Sequence, residues 1–208
     1  MEYKQKCLDI LNNSATFGTY TAQKPRKRYN RLGIELSDDQ QIETADDSYY
    51  KRDENGNYIL DQYSRKQYRW GTEEHGFKGS QYVKTFLKKN TYIIRYGSEK
   101  GSYASPRGTA FSEMALPYKL STCEYNEYLV DEDNLVAVLV PVHEGIVAKQ
   151  AAWPSERGEG TQFYFYEADV PGQGMSGIRG LEMYIGKGLT RLEKEQWSAI
   201  QTEDEMHI

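Results

Sequence analysis

The sequence predicts an α+β fold: a compact, strongly curved antiparallel or mixed β-sheet core with short peripheral helices and an irregular N-terminal cover. Three observations carry that expectation. From Tyr68 onward, short β-branched or aromatic runs alternate with Gly, Pro, Asn or charged clusters, the pattern of strands and turns. Upstream, the chain is polar and lacks a sustained apolar period. Near the C-terminus, Ile178, Leu181 and Ile185 fall at helical spacing before Gly186 and Gly188.

The elements follow in order. Residues 3–12 put Cys7, Leu8 and Leu11 on one helical face, and the NNS that follows is a stop signal, so a short helix is expected there. Residues 18–67 are dominated by charge, Asn, Gln and Tyr and read mainly as loop, with a turn at DENGN before the run YIL. This divides the chain into a cover, 1–67, and a folded domain, 68–208. Strands are expected at QYVKTFL, NTYIIRYG, EYLV, NLVAVLVPV, GIVAK and TQFYFY, then a helix in IRGLEMYIGKGLTRL that Gly186 and Gly188 cap or break, and one more helical turn at EKEQWSAIQ.

Composition narrows the function classes. A net charge of −5 lacks the general basic footprint of a nucleic-acid binder. The basic run KPRKRYNR is offset by the acidic stretch after it. Cys7 and Cys123 lie far apart, and His75, His143 and His207 are scattered, so no metal-ligand spacing is present and two free thiols are expected. No apolar run reaches membrane-spanning length, and the N-terminus lacks a charged-then-apolar leader. An export signal would then reside on a parent chain or be supplied by a secretion system. Nothing points to an obligate dimer, and a monomer is expected.

Four landmarks occur in order within the β-rich part. They are Arg95 in IIRYG, Tyr103 and Phe111 in GSYASPRGTAF, Leu116–Pro117 in ALPY, and Gln162 in GEGTQF. Arg95 offers a planar fork that stays charged and can hold two phosphate oxygens; a strand-end arginine bonded to a carboxylate is the plain alternative. Tyr103, in a Gly/Ser/Pro loop, could pack on a ligand ring or simply anchor the loop. Arg107 could add a phosphate contact or be an exposed loop residue. Gln162 follows Gly158 and Gly160 and precedes an aromatic run. Its amide can donate and accept without ionising, and glycines upstream would let the backbone approach a ligand.

The ordered set resembles the tuberculosis necrotizing toxin domain family over about Trp70 to Leu192. The matching motifs are Gly76-Phe77, Arg95-Tyr96-Gly97, Gly101 through Phe111, Leu116-Pro117, Tyr125-Asn126-Glu127-Tyr128 and Gly160-Thr161-Gln162-Phe163. The chain departs at two positions: Met114 stands where the family carries an arginine, and Asn126 where it carries a histidine. The resemblance implies an NAD(P) glycohydrolase that cleaves the nicotinamide–ribose bond, with NAD or NADP as substrate and no cofactor or metal. It implies catalytic roles for Gln162, Tyr103 and Arg95, and substrate contacts from Arg95, Tyr103, Arg107, Phe111, Asn126 and Gln162. It further implies a secreted toxin acting in the cytosol of a target cell, with a cognate immunity protein. An ADP-ribosyltransferase, kept open by Glu159, and a non-catalytic NAD-binding relative are the alternatives.

Overall fold

The computed structural model describes residues 27–36, 49–60, 64, 66–99, 101–116, 124–131, 140–150, 158–166 and 180–198. The expected helix over 3–12, both cysteines, Pro117 and His207 lie outside these residues.

Among the described residues, an open seven-stranded sheet forms the body of the fold. In chain order its strands are β3 (Phe77–Phe86), β4 (Tyr92–Tyr96), β5 (Tyr103–Pro106), β6 (Tyr125–Val130), β7 (Pro141–Val147), β8 (Thr161–Tyr164) and β9 (Leu189–Arg191). They lie in the order β3-β7-β8-β5-β4-β6-β9, and every neighbouring pair is antiparallel. A separate two-residue hairpin, β1 (Arg28–Tyr29) with β2 (Glu35–Leu36), belongs to the N-terminal part.

Two expectations need correction. The fold is mostly β rather than α+β: helical structure among the described residues is confined to short 3-10 turns. The expected closing helix is instead the 3-10 turn Gly180–Met183 followed by β9, because Gly186 and Gly188 both take positive φ and reverse the chain. EKEQ likewise makes only the 3-10 turn Lys194–Gln196. Second, Tyr103 is not in a loop. It opens β5, which lies between β4 and β8. The Gly, Ser and Pro residues around it masked a four-residue strand whose one proline is its last residue. The DENGN turn does form: the Asp53 carboxylate accepts from the amides of Asn55 and Asn57, both at 2.9 Å.

Register divides the side chains between two faces. One face carries Val142, Phe163, Ala104, Ile93, Tyr128 and Leu189. With Phe165, Leu181, Met183 and Tyr184 packed beneath, it makes the main core. The opposite face has two halves. On β4 and β6, Ile94, Tyr96 and Tyr125 meet Phe111 and Met114 of the 3-10 turn Phe111–Met114 in a second core. On β3, β7, β8 and β5, one cross-strand row runs Lys84, His143, Tyr164, Tyr103. The adjacent row runs Tyr82, Gly145, Gln162. Gly145 is required by packing: a Cβ there would lie 2.6 Å from the buried Phe77 ring.

Candidate functional site

Gln162 stands on the second of these rows, two residues before Tyr164, so the period of a strand puts both side chains on one face. Above them sits the 3-10 turn Glu74–Gly76. The His75 ring stacks on Tyr164 at 4.1 Å between centroids and 23° between planes. Tyr103 stacks on the other side of Tyr164 at 4.9 Å and 24°. Beside this three-ring stack, Gln162 Nε2 donates to the His75 carbonyl at 3.1 Å. Gln162 and Tyr103, chosen from sequence, are therefore joined through Tyr164 and His75, which were not.

Arg95 is arranged differently. Its register partners are Asn126 on β6 and, by continuation of the β4–β5 ladder, Ala104. Alternation thus assigns it to the face opposite Tyr103 and Gln162. Its fork folds over the following turn, Nε donating to the Ser98 carbonyl at 2.6 Å and Nη1 to the Tyr103 carbonyl at 2.5 Å. Gly101 makes room for it, since a Cβ there would lie 1.6 Å from Nη2. The link from Arg95 to the stack runs through the Tyr103 backbone, not through a shared surface.

The remaining three residues lie in the other half of the molecule. Arg107 pairs with Glu127 at 2.5 Å, and its guanidinium lies 3.9 Å over the Tyr92 ring. Glu127 is fully buried and also accepts from the Tyr125 hydroxyl at 2.8 Å and from the Ser198 amide and hydroxyl at 3.0 and 2.7 Å. Burial first, and then the Glu127 carboxylate, push the Tyr125 phenol well above its usual range. Phe111 is buried edge-on to Tyr96 in the second core, and Met114 lies in the same cluster. Asn126 is 1% exposed; its amide donates to the Gly97 carbonyl and to Glu124, and its carbonyl oxygen accepts from Arg191.

The glycines before Gln162 also have a local explanation. A Cβ on Gly160 would come within 2.8 Å of Thr109 and 2.9 Å of Glu113, and one on Gly158 within 3.1 Å of Lys149. The room they leave is filled by protein. The amides of Gly158 and Gly160 donate to the carbonyls of Ser112 and Glu113, locking the start of β8 to the Phe111–Met114 turn. Glu159 points outward and pairs with Lys78 at 2.7 Å.

Beside the stack is a second ring sandwich. His143 lies between Tyr82 and Tyr166, each 4.2 Å away. It is 6% exposed, and neither ring nitrogen has a hydrogen-bond partner. Burial, then the charges of Lys84 and His75, lower its pKa to about 4, with Glu74 opposing. His143 lies inside β7, which extends on both sides of it. The signal for His75 was present in EHGF, immediately before the Gly76-Phe77 pair already singled out. Among the described residues, no His, Cys, Asp and Glu cluster could hold a metal, and no helix is long and apolar enough to cross a membrane.

No curated protein matches the chain. Among solved structures, it is similar to the tuberculosis necrotizing toxin complexed with its immunity factor at 13% identity and a TM-score of 0.40, covering 56% of this chain and 65% of that one. It is similar to Tse6 in complex with Tsi6 at 12% identity and a TM-score of 0.36, covering 58% of this chain and 78% of that one. The chain thus spans just under two thirds of the first structure's length. The family model described as tuberculosis necrotizing toxin matches residues 86–177, the stretch that holds Arg95, Tyr103, Arg107, Phe111, Asn126 and Gln162. The motif resemblance and the family model, which matches residues 86–177, therefore name the same family.

Proposed function

We propose that this chain is an NAD(P) glycohydrolase toxin domain that releases nicotinamide and ADP-ribose. The observation that carries the reading is that Gln162 and the Tyr103–Tyr164–His75 stack share one sheet face, with Gln162, Tyr103 and Tyr164 inside the matched segment. The chemistry asks for what this face offers. The nicotinamide leaving group is already cationic and needs little acid assistance, and the transition state resembles an oxocarbenium ion. Aromatic faces attract a planar cation, and a neutral carboxamide can orient a ribose hydroxyl or the attacking water without titrating. Catalysis of this kind is mostly positioning and fixed dipoles. In this reading, Gln162 and Tyr103 touch substrate, while Arg95 holds the turn that presents Tyr103 and can reach the pyrophosphate only by leaving its two carbonyls. NAD or NADP is the substrate; no cofactor enters the reaction.

A toxin of this type threatens the NAD pool of the cell that makes it before export. A cognate immunity protein covering the Gln162 face, export through a parent chain or secretion system, and action as a monomer in a target cytosol belong to the same proposal. The test is product analysis with NAD and with NADP. Free nicotinamide and free ADP-ribose are expected; absence of nicotinamide at high protein concentration overturns the reading. Label remaining on macromolecules would favour the ADP-ribosyltransferase. A non-catalytic relative has one specific support: Met114 and Asn126, at the family's arginine and histidine positions, are both buried. NAD binding measured by calorimetry without turnover would select it.

A further inference from the structure

We propose that His75 is the positioning residue of the Gln162 site, and that it fixes the carboxamide with its oxygen outward, as the acceptor offered to substrate. The inference deepens the glycohydrolase reading and, for its catalytic consequence, rests on it. A backbone carbonyl can only accept, so the group Gln162 turns toward His75 must be its NH2. The contact is Nε2 to the His75 carbonyl at 3.1 Å. With the amide nitrogen held there, Oε1 is the atom left to receive a hydrogen bond, and it has no partner among the described residues. The substrate group that Gln162 meets through Oε1 is then a donor, a sugar hydroxyl or a water, and not a phosphate oxygen.

That carbonyl is aimed by an unusual backbone. His75 has φ 51 and ψ 21, the left-handed region that only a few per cent of non-glycine residues occupy, Asn, Asp and His more often than the rest. The strain persists because the turn is held from every side. The Glu74 amide donates to Ser80 Oγ at 2.9 Å, the Gly76 amide to the Glu73 carbonyl at 3.0 Å, and the Ala148 amide to the Gly76 carbonyl at 2.8 Å. Gly76, also left-handed at φ 74, leaves a hypothetical Cβ 4.0 Å from Gln162 Nε2, so the turn lies directly over the amide. A strained residue that surrounding structure over-determines, whose carbonyl grips a candidate catalytic side chain, is a device for preorganisation.

The experiment separates the turn from the ring. His75→Asn tolerates left-handed backbone and keeps the carbonyl where it is, whereas the β-branched His75→Val does not. Two readouts are taken on the full chain. The first is kcat and KM for nicotinamide release from NAD. The second is the side-chain NH2 pair of Gln162 in 15N–1H spectra, identified by its loss in Gln162→Met. In the unmodified protein, one of the two amide protons is expected to be shifted and protected from exchange. His75→Val is expected to remove that protection and lower kcat about 10- to 100-fold with KM little changed. His75→Asn is expected to restore the protection and most of kcat. Equal impairment of both variants with the Gln162 signals unchanged would overturn the positioning role. A Gln162 NH2 pair that exchanges like a free amide in the unmodified protein would overturn it regardless of activity. If the unmodified protein releases no nicotinamide, the glycohydrolase reading fails, and the amide signal still decides the anchor by itself.

Discussion

Along one face of the sheet, the half built on β7, β8 and β5 and the half built on β4 and β6 are both lined with aromatic rings, yet they treat polar groups in opposite ways. In the β4–β6 half, charge meets its complement. Arg107 pairs with Glu127, the Tyr125 hydroxyl and Ser198 supply further donors to the same carboxylate, and Phe111 and Met114 close the remaining space. In the β8 half, hydrogen-bonding capacity is left open. Gln162 uses its nitrogen on His75 and keeps its oxygen, and His143 has two ring nitrogens without partners. Buried polar groups normally find partners. A half whose ionised side chains are matched therefore reads as structure, even with Arg107 Nε and Trp197 Nε1 left unbonded there. A half with an open carboxamide and imidazole reads as a place prepared for something else. Sequence alone could not draw this line, because Arg107 and Gln162 are equally plausible ligand contacts until their neighbours are known.

The largest effect expected from this contrast is on the closed half. Glu127→Ala removes the fully buried carboxylate shared by Arg107, the Tyr125 hydroxyl and Ser198. It is expected to destabilise the fold by about 3 kcal/mol, the low end for a broken buried pair because Arg107 is itself 26% exposed. The double variant Glu127→Met with Arg107→Leu, similar in volume and without charge, is expected to recover most of that loss. Urea denaturation of the four proteins in the cycle measures it. A Glu127→Ala protein within 1 kcal/mol of the unmodified one would mean that the pair is effectively solvated and the halves do not differ as described.

Next comes the open half. Gln162→Ala is expected to lower nicotinamide release about 100- to 1000-fold, some 2.7–4 kcal/mol of transition-state stabilisation. Because Gln162 is half-buried and makes one hydrogen bond, stability should change by no more than about 1 kcal/mol. Parallel loss of activity and of the urea midpoint would instead assign Gln162 to the fold, erasing the distinction between the two halves.

The fold was legible where strands announced themselves by composition. NTYIIRYG, EYLV and TQFYFY contain β4, the end of β6 and β8. β5 was hidden because Gly101, Ser102 and Pro106 are turn residues by propensity, and its pairing on both sides with β4 and β8 outweighs that local preference. The closing helix was over-read. Ile178, Leu181 and Ile185 have the right spacing, but Leu181 is buried in a 3-10 turn whose continuation two glycines prevent. Of the candidate site, Gln162 and Tyr103 stand on one sheet face, whereas Arg95 of the same ordered motif is on the other. Tyr164 was within reach, since strand period places it on the face of Gln162, and EHGF marked His75; what no spacing rule supplies is the contact between a turn at 74–76 and a strand at 161–164. Gly158 and Gly160 were read as clearance for a ligand, yet what they clear space for is the Phe111–Met114 turn and the end of β7. A glycine signals a close approach, but the sequence does not say of what.

The smallest of the three effects is the pH response of the His143 sandwich. Its pKa is lowered from 6.5 to about 4, chiefly by burial between Tyr82 and Tyr166 and then by Lys84 and His75. The folded state therefore holds the neutral ring while the unfolded chain takes up a proton below about pH 6.5. The contribution is fully present above that pH and is lost as pH falls toward 4, by at most about 3 kcal/mol. His143→Phe keeps a planar ring, has no nitrogens to satisfy, and is expected to flatten the decline of the urea midpoint across that window. If the unmodified protein and His143→Phe lose stability in parallel from pH 6.5 to 4, His143 is solvated in the folded state. The ring sandwich then belongs with the half of the face whose charged side chains are already matched.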